Sequence, residues 1–348
     1  MKKVIVTGVT GQDGSHMCDF LLANTDYMIY GSARRLSVKN HENIIHLENN
    51  SRFQLINMDL NDAHSIRDVV LDIKPDYFIN FAAQSFVAGS WDYPIQTWDT
   101  DATSVLHILE SIRRFSPNTR FYNAGSSEEF GDVITSPQDE EHPLRPQSPY
   151  GASKCAARHI VRVYRESYNL FAVQGWLFNH EGSRRGLDFV TRKITHNVAR
   201  IKKAIEEKKD IPVFELGNLD AKRDWSDAED FMPGVWMMLN QDKAKNYVLS
   251  SGETHTIREF AEECFKCAEI YGDWVFPEGN QDAENEVFKK DTGEILLKVN
   301  KKFYRPAEVY ELCGDATKAI NELGWIPKCS FKELVRKMYK TDYNLLNE

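Results

Sequence analysis

Through the first 180 residues, short runs of apolar and β-branched residues alternate with stretches in which apolar side chains recur every three or four positions. The runs KVIVTG, YMIYGSA, FQLINMDL, YFINFAA, RFYNAGSS and FAVQGWLFN are too short for helices and predict strands. Between them GSHMCDFLLAN, AHSIRDVVLDIK, TSVLHILESIRRF and SKCAARHIVRVYRESYN predict amphipathic helices. Such alternation is the one-dimensional form of an α/β fold with a doubly wound parallel sheet. After Asn179 the regularity weakens. Residues 190–207 and 257–271 keep a helical period, VFELG and NYVLSSG read as short strands, and 275–300 is charged and turn-rich, predicting an exposed excursion. The expected organisation is a first domain over 1–179, with segments near 219–246 and 306–322 returning to it. A smaller α/β domain takes most of 180–348.

A chain of 348 residues is long enough for both. No apolar run reaches the ~20 residues of a membrane span, and the apolar part of MKKVIVTGVTG is too short for a secretory leader. A net charge of −9 argues against a broad hold on nucleic acid or acidic membrane. The cysteines form no regular framework. Cys264 and Cys267 make a CxxC inside a helical pattern with no second pair of ligands, so buried thiols are expected and no metal. These features together predict a cytoplasmic protein.

VIVTGVTGQDGSH places Gly8, Gly11 and Gly14 between the first strand and the first helix. Glycines are needed there if the backbone is to turn tightly and approach a pyrophosphate, whose charge a helix N-terminus then stabilises. A dinucleotide site is expected, in a Rossmann-type domain. The second strand ends in GSARRLS, with Arg34 and Arg35 where an NAD site usually has an acid, so the expected cofactor is NADP, its 2′-phosphate held by guanidinium groups. Further on, SPYGASK sets Tyr150 and Lys154 one helical turn apart, where phenol and ammonium act on one ligand. A phenol is a poor base at neutral pH, and nearby positive charge would favour its ionised form.

The glycine turn, the serine after FYNAG and the YxxxK pair together resemble the extended short-chain dehydrogenase/reductase superfamily. GVTGQDGSH, AAQSFV, SSE, LFNHEGSRRG, FVTRKI, LGNLDAKRDW and YRPAEV narrow this, over essentially the whole chain, to a resemblance to GDP-mannose 4,6-dehydratases. The resemblance implies a hydro-lyase with tightly bound NADP that is recycled within each turnover. Tyr150 would take the sugar O4 proton, Lys154 would hold the nicotinamide ribose and tune Tyr150, and Ser126 would bond near O4. Glu128 would remove the C5 proton and protonate the departing C6 hydroxyl. Read as a strand, SSEEF would turn Ser126 and Glu128 to the same side, with Glu129 a surface acid. Resemblance also assigns Thr10, Gln12, Asp13, Asp59, Leu60, Ala82, Ala83, Gln84, His180 and Arg185 to the cofactor. To the GDP-sugar it assigns Ser85, Ser90, Asn179, Lys193, Asn218, Lys222, Arg223, Arg305 and Glu308.

Gly125 and Phe130 depart from the residues associated with mannose-specific members, and HEGSRRG lacks a proline often found there. Smaller residues near the sugar would admit a larger one, so GDP-D-glycero-D-manno-heptose is the alternative substrate. A 4-epimerase or reductase would leave Glu128 idle, and a non-enzymatic sensor would leave Tyr150 and Lys154 idle. The family also implies a homodimer or homotetramer, with Arg35 and the 36–50 loop near a neighbouring subunit's cofactor.

Overall fold

The computed structural model describes residues 1–276, 282–304, 309 and 311–347. Strands β1 (Lys3–Thr7), β2 (Met28–Ala33), β3 (Phe53–Asn57), β4 (Tyr77–Asn80), β5 (Arg120–Ala124) and β6 (Ala172–Leu177) lie in one parallel sheet. A later strand, Val248–Leu249, completes it in the order β11-β6-β5-β4-β1-β2-β3. Strand order reverses between β1 and β4, and a crevice opens there at the carboxyl ends of the strands.

Strand β1 shows why the sheet is covered on both sides. Val4 and Val6 enter one core, and Ile5, between them, enters the opposite one. The first core receives Met17, Cys18 and Leu21 from α1 (Gln12–Asn24). The second receives Ile66 and Val70 from α2 (Ala63–Ile73), Val105 and Ile108 from α5 (Ser104–Phe115) and Val161 from α6 (Pro149–Tyr168). Two short helices, α3 (Gly89–Asp92) and α4 (Pro94–Trp98), and a π-helical turn over Asp99–Thr103 lead into α5.

Beyond β7 (Asn179–Glu181) a second core forms around α7 (Val190–Glu206), α9 (Ile257–Cys267) and α11 (Phe331–Leu345). The chain does not stay there. After β8 (Phe214–Leu216), β9 (Lys222–Arg223) and β10 (Trp225–Asp227), helix α8 (Ala228–Leu239) returns Phe231, Val235 and Met238 to the first core. Strand β11 follows it. Helix α10 (Thr317–Leu323) and Trp325 pack there too. Sequence periodicity missed α8 because Pro233 and Gly234 interrupt it. Gly234 is what lets it close on β11, since a Cβ there would stand 2.8 Å from Leu249. It also missed α11, whose Ser330–Glu333 capping box is a legible start signal.

Of the excursion expected over 275–300, residues 277–281 lie outside the described residues, and the rest is instead part of the second core. Strands β13 (Gly272–Val275), β14 (Val287–Lys290) and β15 (Ile295–Val299) join β8 in a four-stranded sheet. Phe288, Leu296 and Leu297 are buried, while Lys289 and Lys298 are exposed. The charges are one face of a strand ribbon. Residues β12 (His255–Thr256) and β16 (Glu311–Leu312) flank β9 in a small third sheet.

One polar feature crosses the main sheet. Thr7 Oγ1 accepts from the Ala82 amide (2.9 Å) and donates to Asn80 Oδ1 (2.7 Å). Asn80 Nδ2 then donates to Asn123 Oδ1, and Asn123 Nδ2 to Gln174 Oε1 (2.8 and 2.7 Å). Gln174 Nε2 donates to Glu129 Oε1 (3.1 Å). The side chains of β1, β4, β5 and β6 are thus joined in a fully buried ladder. Replacing Asn123 by Leu keeps the branched outline of the side chain but leaves Asn80 Nδ2 and Gln174 Oε1 without their partner, at about 1–3 kcal/mol each. We expect urea unfolding to show a loss of about 2–6 kcal/mol for Asn123→Leu. A loss below ~1 kcal/mol would mean the ladder carries no such weight.

Candidate active site

At the β1–β4 switch point a cleft of about 880 Å³ is lined by the turn after β1, the end of β2, residues 57–61 and residues 81–86. Gly8 adopts φ +67°, and a Cβ there would stand 2.9 Å from the Ala82 amide nitrogen. A Cβ on Gly14 would strike the Gly8 carbonyl oxygen at 2.4 Å. Gly8 and Gly14 thus bring strand, turn and helix together more closely than a side chain permits. The N-terminus of α1 begins at Gly11 without a side-chain cap, so its first amides remain available to an anion.

Gly8, Thr10, Gly11, Gln12, Asp13, Gly14, Arg34, Arg35, Asp59, Leu60, Ala82, Ala83, Gln84 and Arg185 all border this one cleft. Ser85, expected on the sugar, borders it as well. Asn57, Gln96, Thr100, Asp188 and Phe189 join them without having been singled out in the sequence. Asn57 ends β3, whereas Gln96, Thr100, Asp188 and Phe189 lie on or before helical segments distant from the glycine turn in sequence.

His180 stands one layer behind. Its Nε2 lies 3.0 Å from Asp13 Oδ2 and its Nδ1 lies 2.7 Å from the Phe178 carbonyl oxygen. Carboxylate and carbonyl can only accept, so both ring nitrogens donate and the ring is an imidazolium. Burial opposes that charge, but Asp13 and the two hydrogen bonds outweigh it and raise the His180 pKa. Burial likewise works against the Asp13 anion, and His180 and Arg185 hold its carboxyl well below the usual range.

The proton-handling groups come from β5 and α6. Ser148 caps α6 by accepting from the Gly151 amide (3.0 Å), and Pro149 takes the first helical position. This places Tyr150 and Lys154 on one face, with Nζ 5.7 Å from the Tyr150 ring centre. Lys154 Nζ donates to the Ala124 carbonyl at 3.0 Å. Ser126 hydrogen-bonds the Tyr150 phenol, and the Tyr150, Lys154 and Glu128 side chains are each at most 8% exposed. Burial, Asp101, Glu128 and Glu129 push the phenol above its ordinary value, and the Ser126 hydrogen bond pulls it down. Lys154 alone therefore does not ready Tyr150 as a base.

The expected strand at SSEEF is a single 3-10 turn, Ser127–Glu129. Ser126 Oγ accepts from the Glu128 amide (3.2 Å), and the Ser126 amide donates to Glu129 Oε1 (2.9 Å). Glu129 is no surface acid. It is fully buried, ion-paired with Arg158, whose guanidinium lies 3.4 Å from the Trp176 ring centre. A hydrophobic count cannot see this, because the acid is buried only by virtue of its partner.

Gly125 and Phe130 do not open the sugar end. A Cβ at Gly125 would meet the Gly175 carbonyl oxygen at 2.2 Å and Glu129 Oε1 at 2.7 Å. Phe130 is fully buried, its ring stacked on Trp176 with centroids 5.6 Å apart. Both positions answer to packing behind the turn, which removes their support for a larger sugar.

The remaining sugar-side candidates are dispersed. Ser90 is fully buried and its hydroxyl donates to the Val87 carbonyl (2.6 Å), so it is not presented to a ligand. Asn179 Oδ1, on β7, is buried without a hydrogen-bond partner among the described residues. Lys193 Nζ lies 4.0 Å from the Phe303 ring centre, and burial lowers its pKa. Asn218 Oδ1 accepts from the Asp220 amide (3.0 Å). Lys222 is exposed on β9, whereas Arg223 is buried and donates to the Lys222 and Val309 carbonyls (2.8 and 2.7 Å). Asp224 accepts from the Ser251, Gly252 and Gly314 amides. Arg305 and Glu308 lie outside the described residues. Among the described residues no cluster of His, Cys, Asp or Glu could hold a metal, and no helix is long and apolar enough to cross a membrane. Cys264 is buried and Cys267 partly buried, both free.

The family model described as GDP-mannose 4,6 dehydratase matches residues 5–338. A GDP-mannose 4,6 dehydratase of Drosophila melanogaster is 42% identical, covering 100% of this chain and 87% of its own. The Homo sapiens protein of that name is 42% identical, covering 98% and 91%. One from Yersinia enterocolitica is 39% identical, covering 98% and 94%. Among solved structures, DesIV, a dTDP-glucose 4,6-dehydratase from Streptomyces venezuelae with NAD and TYD bound, superposes with a TM-score of 0.79 at 19% identity, covering 97% and 96%. A Thermus thermophilus UDP-glucose 4-epimerase complex with NAD gives 0.77 at 22%, covering 98% of both chains. The two structures speak for the fold, that of extended short-chain dehydrogenases, and the full-length matches for more: this chain is a member of the GDP-mannose 4,6-dehydratase family.

Proposed function

We propose that the protein converts GDP-mannose to GDP-4-keto-6-deoxymannose, with NADP as a resident cofactor. The observation that carries the reading is the position of Glu128. It is a buried carboxylate on the same capped turn as Ser126, which bonds the Tyr150 phenol, in a chain of this family. An epimerase has use for Ser126, Tyr150 and Lys154 and none for a base at C5.

The glycine cradle and the uncapped start of α1 fit a pyrophosphate, and Arg34 and Arg35 at the cleft edge fit a 2′-phosphate. When bound, NADP supplies the two-electron acceptor that takes hydrogen from C4 and returns it at C6. Lys154 orients the ribose, Tyr150 removes the O4 proton and Ser126 bonds the oxygen as it becomes a carbonyl. That carbonyl acidifies C5–H. Glu128 takes the C5 proton and passes it to the departing C6 hydroxyl, which leaves as water. The proton held by Tyr150 is then available to C5 as hydrogen returns to C6, so the cycle closes without a net change in cofactor. Asn179 Oδ1, without a hydrogen-bond partner among the described residues, supports with Lys193 and Lys222 the seating of the GDP-sugar on this side, and Asn218, Arg223, Arg305 and Glu308 complete the proposed set.

Mass spectrometry of enzyme incubated with GDP-mannose and no added reductant is expected to show loss of one water, ~18 mass units, with no net NADPH. An unchanged mass would overturn the reading. Glu128→Gln is expected to abolish dehydration, by at least about a hundredfold, while leaving cofactor binding intact. Turnover near the parent rate would exclude Glu128 as the base. The double variant Arg34→Ala, Arg35→Ala is expected to bind NADP roughly ten- to a hundredfold more weakly by calorimetry. NAD should be affected less, and an equal loss for both would assign the arginines elsewhere.

A further inference from the structure

Phe86 stands at the end of the 81–86 loop that borders the cleft, and it is 41% exposed. Its backbone is fixed nonetheless. The Phe86 amide donates to Gln84 Oε1 at 2.7 Å, and Gln84 Nε2 donates to the Phe86 carbonyl and to Thr97 Oγ1, both at 3.1 Å. A Cβ at Gly89 would stand 3.1 Å from Phe86 Cδ1, so the ring rests against the backbone there. A large apolar ring held in this way, half in water, forgoes favourable burial.

The ring has one aromatic partner from the other wall. Phe189, at the N-terminus of α7, meets it edge-on, with centroids 6.1 Å apart and planes at 76°. The Arg185 guanidinium lies 3.5 Å from the Phe189 ring centre, and its Nε lies 3.1 Å from Glu181 Oε2. Arg192 of α7 ties this segment to the second core. It donates to the Ser183 and Arg185 carbonyls and pairs with Asp342 of α11 at 2.7 Å. Phe86 is therefore held by the sheet domain and Phe189 by the second core, and both rings border the same cleft with Arg185. A ring edge on a ring face involves no hydrogen bond, so the two can part without stranding a buried polar group.

We propose that Phe86 and Phe189 are cofactor-retaining residues: their ring contact latches two walls of the dinucleotide cleft together, and its opening sets how fast the bound dinucleotide leaves. Gln84 supplies the fixed post, since both polar ends of its side chain are spent on the chain itself. Arg185, stacked on Phe189, stiffens the other half. The reaction proposed above gives such a latch its use. Hydrogen taken from C4 is the hydrogen returned at C6, so a dinucleotide that left between the two steps would strand the oxidised sugar.

The inference rests on the dinucleotide reading of the cleft, and the test separates the two. Enzyme loaded with NADPH is mixed with excess NADP, and the decay of bound-NADPH fluorescence gives the release rate. Phe86→Ala and Phe189→Ala are each expected to speed release about tenfold. Because the rings form one contact, the double variant is expected to release no faster than the faster single variant. Phe86→Tyr keeps the ring and is expected to release at the parent rate. Phe189→Leu keeps apolar bulk without a ring, and serves if the alanine variant does not fold. Unchanged release in the single variants would overturn the latch. So would effects that multiply to about a hundredfold in the double variant, which would assign each ring its own contact with the dinucleotide. A parent enzyme that binds no NADPH would overturn the cofactor reading, and the latch with it.

Discussion

The ladder Thr7–Asn80–Asn123–Gln174–Glu129 is the constraint on which the two halves of the site depend. Parallel strands bury both faces, so their interior positions are ordinarily apolar. Four adjacent strands here give up an apolar residue at the same level of the sheet. Each amide repays its desolvation only because the next strand supplies a partner. At one end the ladder fixes the Ala82 amide, and with it the loop that borders the cleft. At the other it fixes Glu129, which holds the Ser126 turn. A shift of any strand along its neighbour would leave buried donors unpaired, so the ladder sets register where register decides the spacing between cleft and turn.

Glu129 and Arg158 continue that logic behind the turn. A buried ion pair is a poor source of stability, because desolvation offsets most of the attraction. Its use here is geometric. One Glu129 oxygen meets the Ser126 amide, Gln174 and Arg158 together, and Arg158 also meets the Gln174 carbonyl and the Trp176 ring. Gly125 is absent of a side chain because these groups converge on it. A residue whose size looked like a statement about the sugar is a statement about the support of the turn.

The carboxylates around Tyr150 explain how a phenol can be both buried and useful. Asp101, Glu128 and Glu129 raise its proton affinity, in company with burial. A cationic group beside the phenol would lower that affinity, and the cleft formed by the glycine cradle and α1 is adjacent.

The alternation of apolar runs by itself determined the parallel sheet and its helices, because each strand and helix announces its own period over a few consecutive residues. The glycine turn, Arg34, Arg35, Tyr150 and Lys154 were legible for the same reason, since their chemistry depends on neighbours along the chain. Other features were settled only in three dimensions. The 275–300 segment looked exposed because charged residues dominate its composition, and its strands β14 and β15 bury one face in the sheet that β8 completes. Helix α8 was hidden by Pro233 and Gly234, which suit its packing against β11. Glu129 and Asp101 gave no signal, since a buried carboxylate is defined by partners distant in sequence: Arg158 and Gln174 for one, Gln84 and Lys154 for the other. Local periodicity specifies elements, whereas desolvated charge is specified by pairing, and pairing exists only once the chain has folded.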